Sequence, residues 1–324
     1  MVPAEVIQAL GVALFPGFLF LIALALFYEW VDRKFVAKLQ NRYGPLYTGP
    51  KGVLQPLADI IKLLAKEDIT PEAADRFAFT VTPIVLLALP LAGLFVVPMV
   101  ADRSILRFEG DLAFIAFLMA LIATFNFLGA WSSTSRYPIV GGVRALVQMV
   151  GYEVPLTLVM FGPAIVAGSL SISGIVAWQA ERGLYFLLLQ PLGFGIFVLC
   201  SLAEAEKIPF DIPEAETEIV AGWLTEFTGR KLALLRLAED LKILLLASLA
   251  ASLFLGGPSG PWPIPPILWF LIKTTAVVLI LSNLRALFAR FRIDQMVAGS
   301  WKYLTLLAIA QIVGVELMVW LMGW

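Results

Sequence analysis

The sequence has no histidine and only one cysteine, Cys200, in 324 residues. Iron–sulfur clusters, nickel sites and structural zinc sites each need several Cys or His ligands. These absences exclude such a centre built from this chain alone. We therefore expect no metal and no cofactor here and place any redox centre on another chain. Charge is also balanced, at a net −1, which gives no electrostatic reason to expect a nucleic-acid partner.

Apolar residues are abundant instead. They make up 60% of the chain, and the mean hydropathy is +0.90. Runs of about 20 apolar residues can cross about 30 Å of hydrocarbon as helices. The sequence therefore predicts one all-α, polytopic membrane domain over 1–324 with eight transmembrane helices. The predicted spans are 9–29, 77–101, 111–131, 145–168, 184–203, 235–256, 266–288 and 303–323.

The basic residues are distributed unequally between the connections. Nineteen of the 23 Lys and Arg residues fall beside or within alternate connections, and only Arg103, Arg107 and Arg182 fall in the others. Cytoplasmic connections carry the excess of Lys and Arg. We therefore expect the connections 30–76 and 204–234 to be cytoplasmic, and both termini to lie outside the plasma membrane.

The first connection contains the segment "GVLQPLADIIKLLAKED", whose polar and apolar residues separate at helical spacing. Gln55, Asp59 and Lys62 recur on one face, opposite residues such as Leu57 and Ile60. The pattern predicts an amphipathic helix at the membrane interface. It could be a surface anchor, a cavity wall or a docking platform, and the turn-rich "NRYGPLYTGPKG" before it could present backbone to a partner.

Two charged residues lie inside predicted spans. Glu153 is about two turns into 145–168, where an ionised carboxylate costs roughly 2.5 to 3.5 kcal/mol. Pro155 would free backbone carbonyls at the same level. Glu153 is therefore a candidate relay group, although it could instead be protonated or paired with Arg144 or Lys273. Lys273 is a weaker candidate of the same kind.

The densest charge is in "EAEKIPFDIPEAETE", residues 204–218, which holds six carboxylates and one lysine. Pro213 suits the first position of a helix, which would place Glu214 and Glu218 on one face. Crowded carboxylates that are partly buried cannot all ionise, so some pKa values should rise toward neutrality, as a proton relay needs. A solvated acidic loop that balances Lys207 and its basic neighbours is the alternative.

Several motifs together resemble one family. They are "VDRKFVAKLQNRYGP", "GVLQPLADIIKLLAKEDITPEAADRFAF", "GGVRALVQMVGYEVPLTLV", "AEKIPFDIPEAETEIVAGWLTEFTGRKLALLRLAED" and "RFRIDQM", and they span about 30 to 300. In this order they resemble the membrane-anchor subunit of respiratory complex I, the NADH dehydrogenase subunit 1 family, which also occurs in energy-converting [NiFe] hydrogenases.

The resemblance implies a role in coupling. Members of this family join a redox arm to ion-pumping membrane subunits through a funnel of acidic residues. Carried over by position, and with Lys273 added from its place in a span, the relay residues would be Asp32, Arg144, Glu153, Asp211, Glu214, Glu216, Glu218 and Lys273. The residues implied in docking the redox arm are Arg33, Arg42, Pro45, Gln55, Asp59, Lys62 and Phe210.

Departures from the complex I pattern favour the hydrogenase-type branch. Examples are Asp32 where complex I usually has Glu, and the Glu239–Asp240 pair where it usually has Glu–Tyr. We therefore expect the anchor of a membrane-bound hydrogenase or related sulfane-reducing complex. Its partners would be hydrogenase-like large and small subunits, antiporter-like and small membrane subunits, and lipid, with iron–sulfur clusters and possibly nickel–iron on the partner subunits.

Other functions stay open on the sequence. One is the quinone-site subunit of a complex I-type dehydrogenase, and others are a pure structural anchor or a free-standing secondary transporter. The coupled ion could be a proton or sodium, because carboxylates serve both.

Overall fold

The computed structural model describes residues 11–100 and 104–323, and the regular secondary structure in these ranges is helical. The α-helices are α1 (Phe18–Leu39), α2 (Gln55–Ala65), α3 (Arg76–Val96), α4 (Asp111–Ser132), α5 (Arg136–Ala167), α6 (Ile172–Arg182), α7 (Phe186–Leu189), α8 (Pro191–Glu204), α9 (Glu216–Ile219), α10 (Gly229–Leu255), α11 (Pro266–Leu287), α12 (Ile293–Gly299) and α13 (Thr305–Met322). A π-helical turn over Ser300–Leu304 joins α12 to α13.

Six helical segments of the described chain are long and apolar enough to cross a membrane. They are Gly11–Leu39, Arg76–Val96, Asp111–Ser132, Arg136–Ala167, Pro266–Leu287 and Ile293–Met322. They overlap six of the eight predicted spans, so the all-α fold is confirmed for the described residues and agrees with a polytopic membrane protein. The other two, at α8 and α10, stay predictions, because α8 has only 14 residues and α10 carries Glu239, Asp240 and Lys242 near its middle.

Helix α10 forms the centre of the bundle. It packs against α1, α2, α3 and α11, and its residues from Leu244 to Ala251 are almost completely shielded from solvent. A helix that is buried on every side must find partners for its charges within the chain. This requirement shapes the charged cluster around its first half.

The fifth predicted span, 184–203, is interrupted at its start. Phe186–Leu189 forms a single turn, and α8 begins only at Pro191. Proline has no N–H to donate and fits the first helical position, so the continuous helix starts seven residues later than the apolar run predicted. Just before it, the buried Gln190 accepts a hydrogen bond of 3.0 Å from Gln311 of α13.

The amphipathic helix of the first connection is present as α2. It lies against α1 and α10, with Ile60 on the apolar core and Asp59 turned toward Arg33. Leu57 and Ile61 stay more than two-fifths exposed. The helix therefore has one side on the bundle and apolar side chains available to lipid or to a partner.

The helix predicted to begin at Pro213 does not form there. Pro213 and Glu214 lie in a turn, and α9 is one turn long. Val220, at φ 64°, ends it, and Gly222 approaches the Pro213 carbonyl so closely that a Cβ would lie 1.8 Å from its oxygen. This compact fold of the loop, which only glycine permits at 222, replaces the expected helix and separates Glu214 from Glu218.

Candidate functional site

A buried carboxylate lies at the end of α8. Glu204 is 2% exposed, and its Oε2 accepts a hydrogen bond of 2.5 Å from the Tyr152 hydroxyl of α5. Glu153, the next residue on α5, is close enough for its charge to act on Glu204. Within the described chain, Oε1 of Glu204 and Oε2 of Glu153 are buried without a hydrogen-bond partner. Each of these oxygens is free to bind a proton or to accept a hydrogen bond from a bridging water.

Glu206 extends this group of acids toward α10. Its Oε1 accepts 2.6 Å from the Asn126 amide and lies 3.9 Å from Lys242 Nζ, and its Oε2 accepts 3.2 Å from the indole of Trp223. Lys242 is 5% exposed, so the Glu206 carboxylate is needed to offset the cost of burying its ammonium group. Helices α4, α8 and α10 and the loop are thereby tied together around one carboxylate.

A cluster of acidic and basic side chains lies beside Glu206, at α10 and the loop. Glu239 of α10 lies 3.6 Å from Lys207 and 3.1 Å from Arg236, and Glu214 of the loop is close enough for its charge to act on it. Oε1 of Glu239 is buried without a hydrogen-bond partner in the described chain. Burial and the neighbouring Glu239 raise the pKa of Glu214 well above its usual value. Burial lowers the pKa of Lys207, but Glu239 and Glu214 outweigh it and the net pKa is raised.

A clamp between α1 and α2 lies on the other side of this cluster. Arg33 donates to Glu29 at 2.5 Å and to Asp59 at 2.7 Å, and the Gln55 amide donates 3.0 Å to Asp59. Burial raises the pKa of Asp59, but the bonds from Arg33 and Gln55 prevail and the pKa is lowered. Asp59 therefore stays ionised and holds the interfacial helix to α1.

The clamp and the mixed cluster enclose a cavity of about 400 Å³, which we call the charged cavity. Its lining residues are Glu29, Arg33, Pro56, Asp59, Ile60, Lys62, Leu63, Lys207, Arg236, Glu239, Asp240 and Arg285. Pro56, Ile60 and Leu63 of α2 supply apolar lining. The charged lining comes from α1, α2, α10, α11 and the loop. The cavity can hold a molecule with an apolar body and hydrogen-bond acceptors.

Two predicted relay acids are held by arginines. Asp32 of α1 accepts 2.6 Å from the Ser282 hydroxyl and is paired with Arg285 of α11. Asp211 of the loop accepts 2.7 Å from Arg290. Burial raises the pKa of Asp211, and Arg290 opposes this without cancelling it.

The remaining predicted relay residues lie apart from this centre. Arg144 donates 2.6 Å to Glu218, which is about half exposed, and Glu216 is exposed. Lys273 donates to the carbonyls of Gly257 and Ser259 at the other end of the bundle. Neither cation contacts Glu153, so the salt bridge considered for that residue does not form.

The predicted docking residues are also dispersed. Arg33, Gln55, Asp59 and Lys62 line the clamp or lie beside it. Arg42 is exposed and Pro45 half-buried in the turn after α1. Phe210 is only 7% exposed and packs on Phe291 at 5.7 Å between ring centroids, which leaves little of it for a partner.

Sequence reasoning did not name Tyr152, Glu204 or Glu206 as relay residues. Glu204 is the last residue of a helix whose preceding turns are apolar, a position still inside the bundle, and this was the signal available. The partner Tyr152, 52 residues earlier, carries no signal of its own. Within the described residues, no group of three or more His, Cys, Asp or Glu side chains could hold a metal ion.

Comparison with known proteins gives a consistent result. A family model described as NADH dehydrogenase matches residues 12–316. In Rhodopseudomonas palustris, the H 1 subunit of NADH-quinone oxidoreductase is 40% identical over 90% of this chain and 91% of its own length. The H 1 subunit of the Geobacter metallireducens enzyme is 40% identical over 91% and 92%, and the H subunit of the Dehalococcoides mccartyi enzyme is 37% identical over 91% and 82%.

These relatives give no support to the hydrogenase-type assignment. Each is named as the H subunit of an NADH-quinone oxidoreductase, and none as part of a hydrogenase or sulfane reductase. The reading of Asp32 and of Glu239–Asp240 as marks of that branch therefore has no support from them. The expectation of hydrogenase-like large and small partner subunits loses its basis with it.

Proposed function

Because the chain belongs to the NADH dehydrogenase family of membrane subunits, we propose that it helps enclose the quinone site of an NADH-quinone oxidoreductase and couples that site to ion translocation. One observation carries the proposal. The charged cavity, lined by apolar side chains of α2 together with cations and carboxylates, lies next to a series of carboxylates that leads into the bundle.

A quinone suits the cavity chemically. Its ring and isoprenoid tail need an apolar wall, which Ile60 and Leu63 of α2 supply. Its two carbonyl oxygens are acceptors only, and Arg33, Lys207 and Arg236 are donors in the same cavity. Reduction of a quinone to the quinol takes up two electrons and two protons. The electrons would come from iron–sulfur clusters on partner subunits, since this chain supplies no such ligands.

The carboxylates would respond to that chemistry. A reduced, negatively charged quinone beside Glu239 and Glu214 would favour their protonated forms. Glu206, Glu204 and Glu153 continue the series from there into the membrane-spanning helices. Protonation changes could thus pass toward antiporter-like partner subunits, with a proton or sodium as the coupled ion.

The membrane arrangement follows the same proposal. Helices α8 and α10 would complete eight spans, with α10 tolerating its charges because they are paired inside the bundle. Both termini would lie outside the plasma membrane, and 30–76 and 204–234 would meet the redox arm in the cytoplasm.

Filling the cavity tests the quinone site. Ile60→Trp would place an indole in the charged cavity, whereas Ile61→Trp, on the exposed side of the same turn, is the matched control. In the intact complex, we expect Ile60→Trp to raise the KM for quinone at least severalfold while the control does not. Reduction of a soluble dye by the redox arm should stay unchanged in both. An unchanged quinone KM in Ile60→Trp would contradict the site.

Coupling is tested separately. Glu153→Gln should impair ion pumping and coupled turnover while dye reduction stays intact, and unchanged coupling would leave a purely anchoring role.

Metal analysis of the purified complex with parallel assays decides the acceptor. Quinone reduction without nickel is expected, whereas nickel with hydrogen evolution would return the hydrogenase-type branch.

A further inference from the structure

We propose that a groove beside the end of α1 binds the headgroup of an anionic phospholipid. The groove has a volume of about 700 Å³ and lies between the last turns of α1, the turn 41–44 and Leu279 of α11. Its other main lining residues are Trp30, Lys34, Lys38, Arg42 and Tyr43. We call it the headgroup groove. It shares no lining residue with the charged cavity.

Three basic side chains beside the groove have no acidic partner among the described residues. Lys34 and Lys38 are one helical turn apart on α1, and neither makes an ion pair with any residue that the structure describes. Arg42 uses its Nε on the Gln40 amide oxygen at 2.8 Å, with no acidic partner in the described chain. By contrast, the neighbouring Arg33 is paired with two acids. Three unpaired cations around one groove favour an anionic ligand.

An apolar track leads from the groove along the bundle surface. Phe27 of α1 lies 5.6 Å from Trp30 between ring centroids and is 42% exposed. Ile272, seven residues before Leu279 and so on the same face of α11, is 52% exposed. The Tyr28 hydroxyl is hydrogen-bonded to the Thr274 hydroxyl. This contact between α1 and α11 places Phe27 and Ile272, which lie within two residues of it in sequence, at the same height along the bundle. Acyl chains can therefore follow the track between α1 and α11.

Aromatic residues mark the level of the lipid headgroups. Tryptophan and tyrosine concentrate at membrane–water interfaces. Trp30 donates a hydrogen bond of 3.2 Å to the Lys51 carbonyl, which fixes the ring and the loop beside the groove. Tyr43 is 89% exposed across from it. Their position places the three cations where the phosphates of the leaflet lie.

Only an amphiphile with a negative head matches both parts of this surface. An acidic segment of a partner protein would satisfy the cations but not the apolar track. A quinone would satisfy the track but carries no anionic group. Arg42, implied above in docking the redox arm, would then contact lipid.

Charge removal tests the groove. The intact complex is reconstituted in phosphatidylcholine nanodiscs with a small fraction of phosphatidylglycerol, and retained lipids are counted by native mass spectrometry. Each cation near an anionic headgroup strengthens binding roughly fivefold, so Lys34→Gln with Lys38→Gln should weaken phosphatidylglycerol retention by about 25-fold. Lys34→Arg with Lys38→Arg should retain it. Arg76→Gln with Lys302→Gln removes equal charge from exposed sites elsewhere and is the matched control.

The outcomes separate the alternatives. Equal loss in the control would reduce the effect to general surface charge and overturn the proposal, as would no loss in the double lysine variant. Millimolar inorganic phosphate should leave the phosphatidylglycerol in place, because free phosphate lacks acyl chains. Displacement by phosphate or by added quinone would overturn a lipid site.

Photo-crosslinking identifies the occupant directly. Tyr43→p-benzoylphenylalanine places a reactive group at the rim of the groove in the assembled complex. We expect crosslinks to phospholipid, and fewer of them with the double lysine variant. Crosslinks to a protein subunit instead would overturn the proposal in favour of a docking surface.

Discussion

The Tyr152 hydroxyl donates a hydrogen bond of 2.5 Å to Oε2 of Glu204, a carboxylate 52 residues away in sequence and 2% exposed. The bond joins α5 to the end of α8 beside Glu153. It orients one oxygen of Glu204 and leaves the other without a partner among the described residues. A carboxylate held in this way has a fixed geometry and a free site for a proton.

The first prediction removes that donor. Tyr152→Phe keeps the ring but leaves a buried carboxylate oxygen unsatisfied, at a cost of about 1–3 kcal/mol. We expect a lower free energy of unfolding and slower coupled quinone reduction, with reduction of a soluble dye unchanged. Steady-state assays of both activities on the same preparation measure this.

The control for Tyr152 is Tyr137→Phe on the same helix. Tyr137 is 53% exposed, and its change should leave stability and both activities unaltered. If the Tyr152→Phe complex carries out coupled quinone reduction as fast as the unaltered complex does, Glu204 has no part in the relay.

Glu214 gives a prediction in pH. Its folded pKa is raised above the value of 4.5 expected without the fold, so the folded state favours the neutral form. The stability that this group contributes is fully present below pH 4.5 and is lost as pH rises through the folded pKa. Glu214→Gln mimics the neutral form. The variant should therefore unfold at a higher temperature than the unaltered complex at neutral pH, and the difference should vanish below pH 4.5.

Thermal unfolding across that pH range is the measurement. Glu216→Gln, two residues away and exposed, is the matched control. A difference between Glu214→Gln and the unaltered complex that stays constant with pH would mean that the titration of Glu214 does not contribute.

The sequence predicted helices correctly where a long apolar run is enough to determine one. Six long apolar runs must be buried in lipid or protein, and helices form there whatever the partners are. The fifth run failed at its start because Pro191 sets where a helix can begin, and the run alone does not say so. The loop helix failed because Gly222 allows a close approach to Pro213 that only the folded chain reveals.

Charges were harder to place than helices. Glu153 could be singled out from its depth in a span, but Arg144 and Lys273, the partners considered as an alternative for it, bind Glu218 and two loop carbonyls instead. Each of these pairings depends on tertiary contacts between distant segments. The residues that surround the charged cavity come from α1, α2, α10, α11 and the loop, and no local pattern joins them.

The clamp between Arg33 and Asp59 should contribute measurably to holding α2. A double-mutant cycle with Arg33→Gln and Asp59→Asn should give a coupling energy of about 0.5–3 kcal/mol, because both groups are partly buried and the bond is charge-assisted. Hydrogen exchange of the α2 amides reports the local free energy of opening.

The exposed pair Arg292–Asp294 is the control for the clamp. Its N–O distance is 3.3 Å, but the side chains are 80% and 66% exposed. Exposed pairs contribute little, so its coupling should be near zero. A coupling as small at Arg33–Asp59 would mean that apolar contacts of Ile60 hold α2 without the clamp.

The last prediction concerns the buried amide pair of Gln190 and Gln311. A Cβ on Gly162 would lie 2.6 Å from Oε1 of Gln190 and 2.7 Å from Nε2 of Gln311, the two atoms that bond to each other. The other atom of each amide already has no partner in the described chain. Gly162→Ala would therefore break the pair and should lower the free energy of unfolding by about 1–3 kcal/mol.

Gly195→Ala on α8 is the matched control, because no atom lies within 4 Å of its added Cβ. There the better helix propensity of alanine acts alone and should stabilise by up to about 1 kcal/mol. The two substitutions are chemically identical, so opposite signs in thermal unfolding would isolate the amide pair as the cause. If both stabilise, Gln190 and Gln311 move aside at little cost. In a Gln190→Ala and Gln311→Ala background, which removes both amides, Gly162→Ala should cost nothing. A remaining loss would trace to other contacts of α5 and not to the amides.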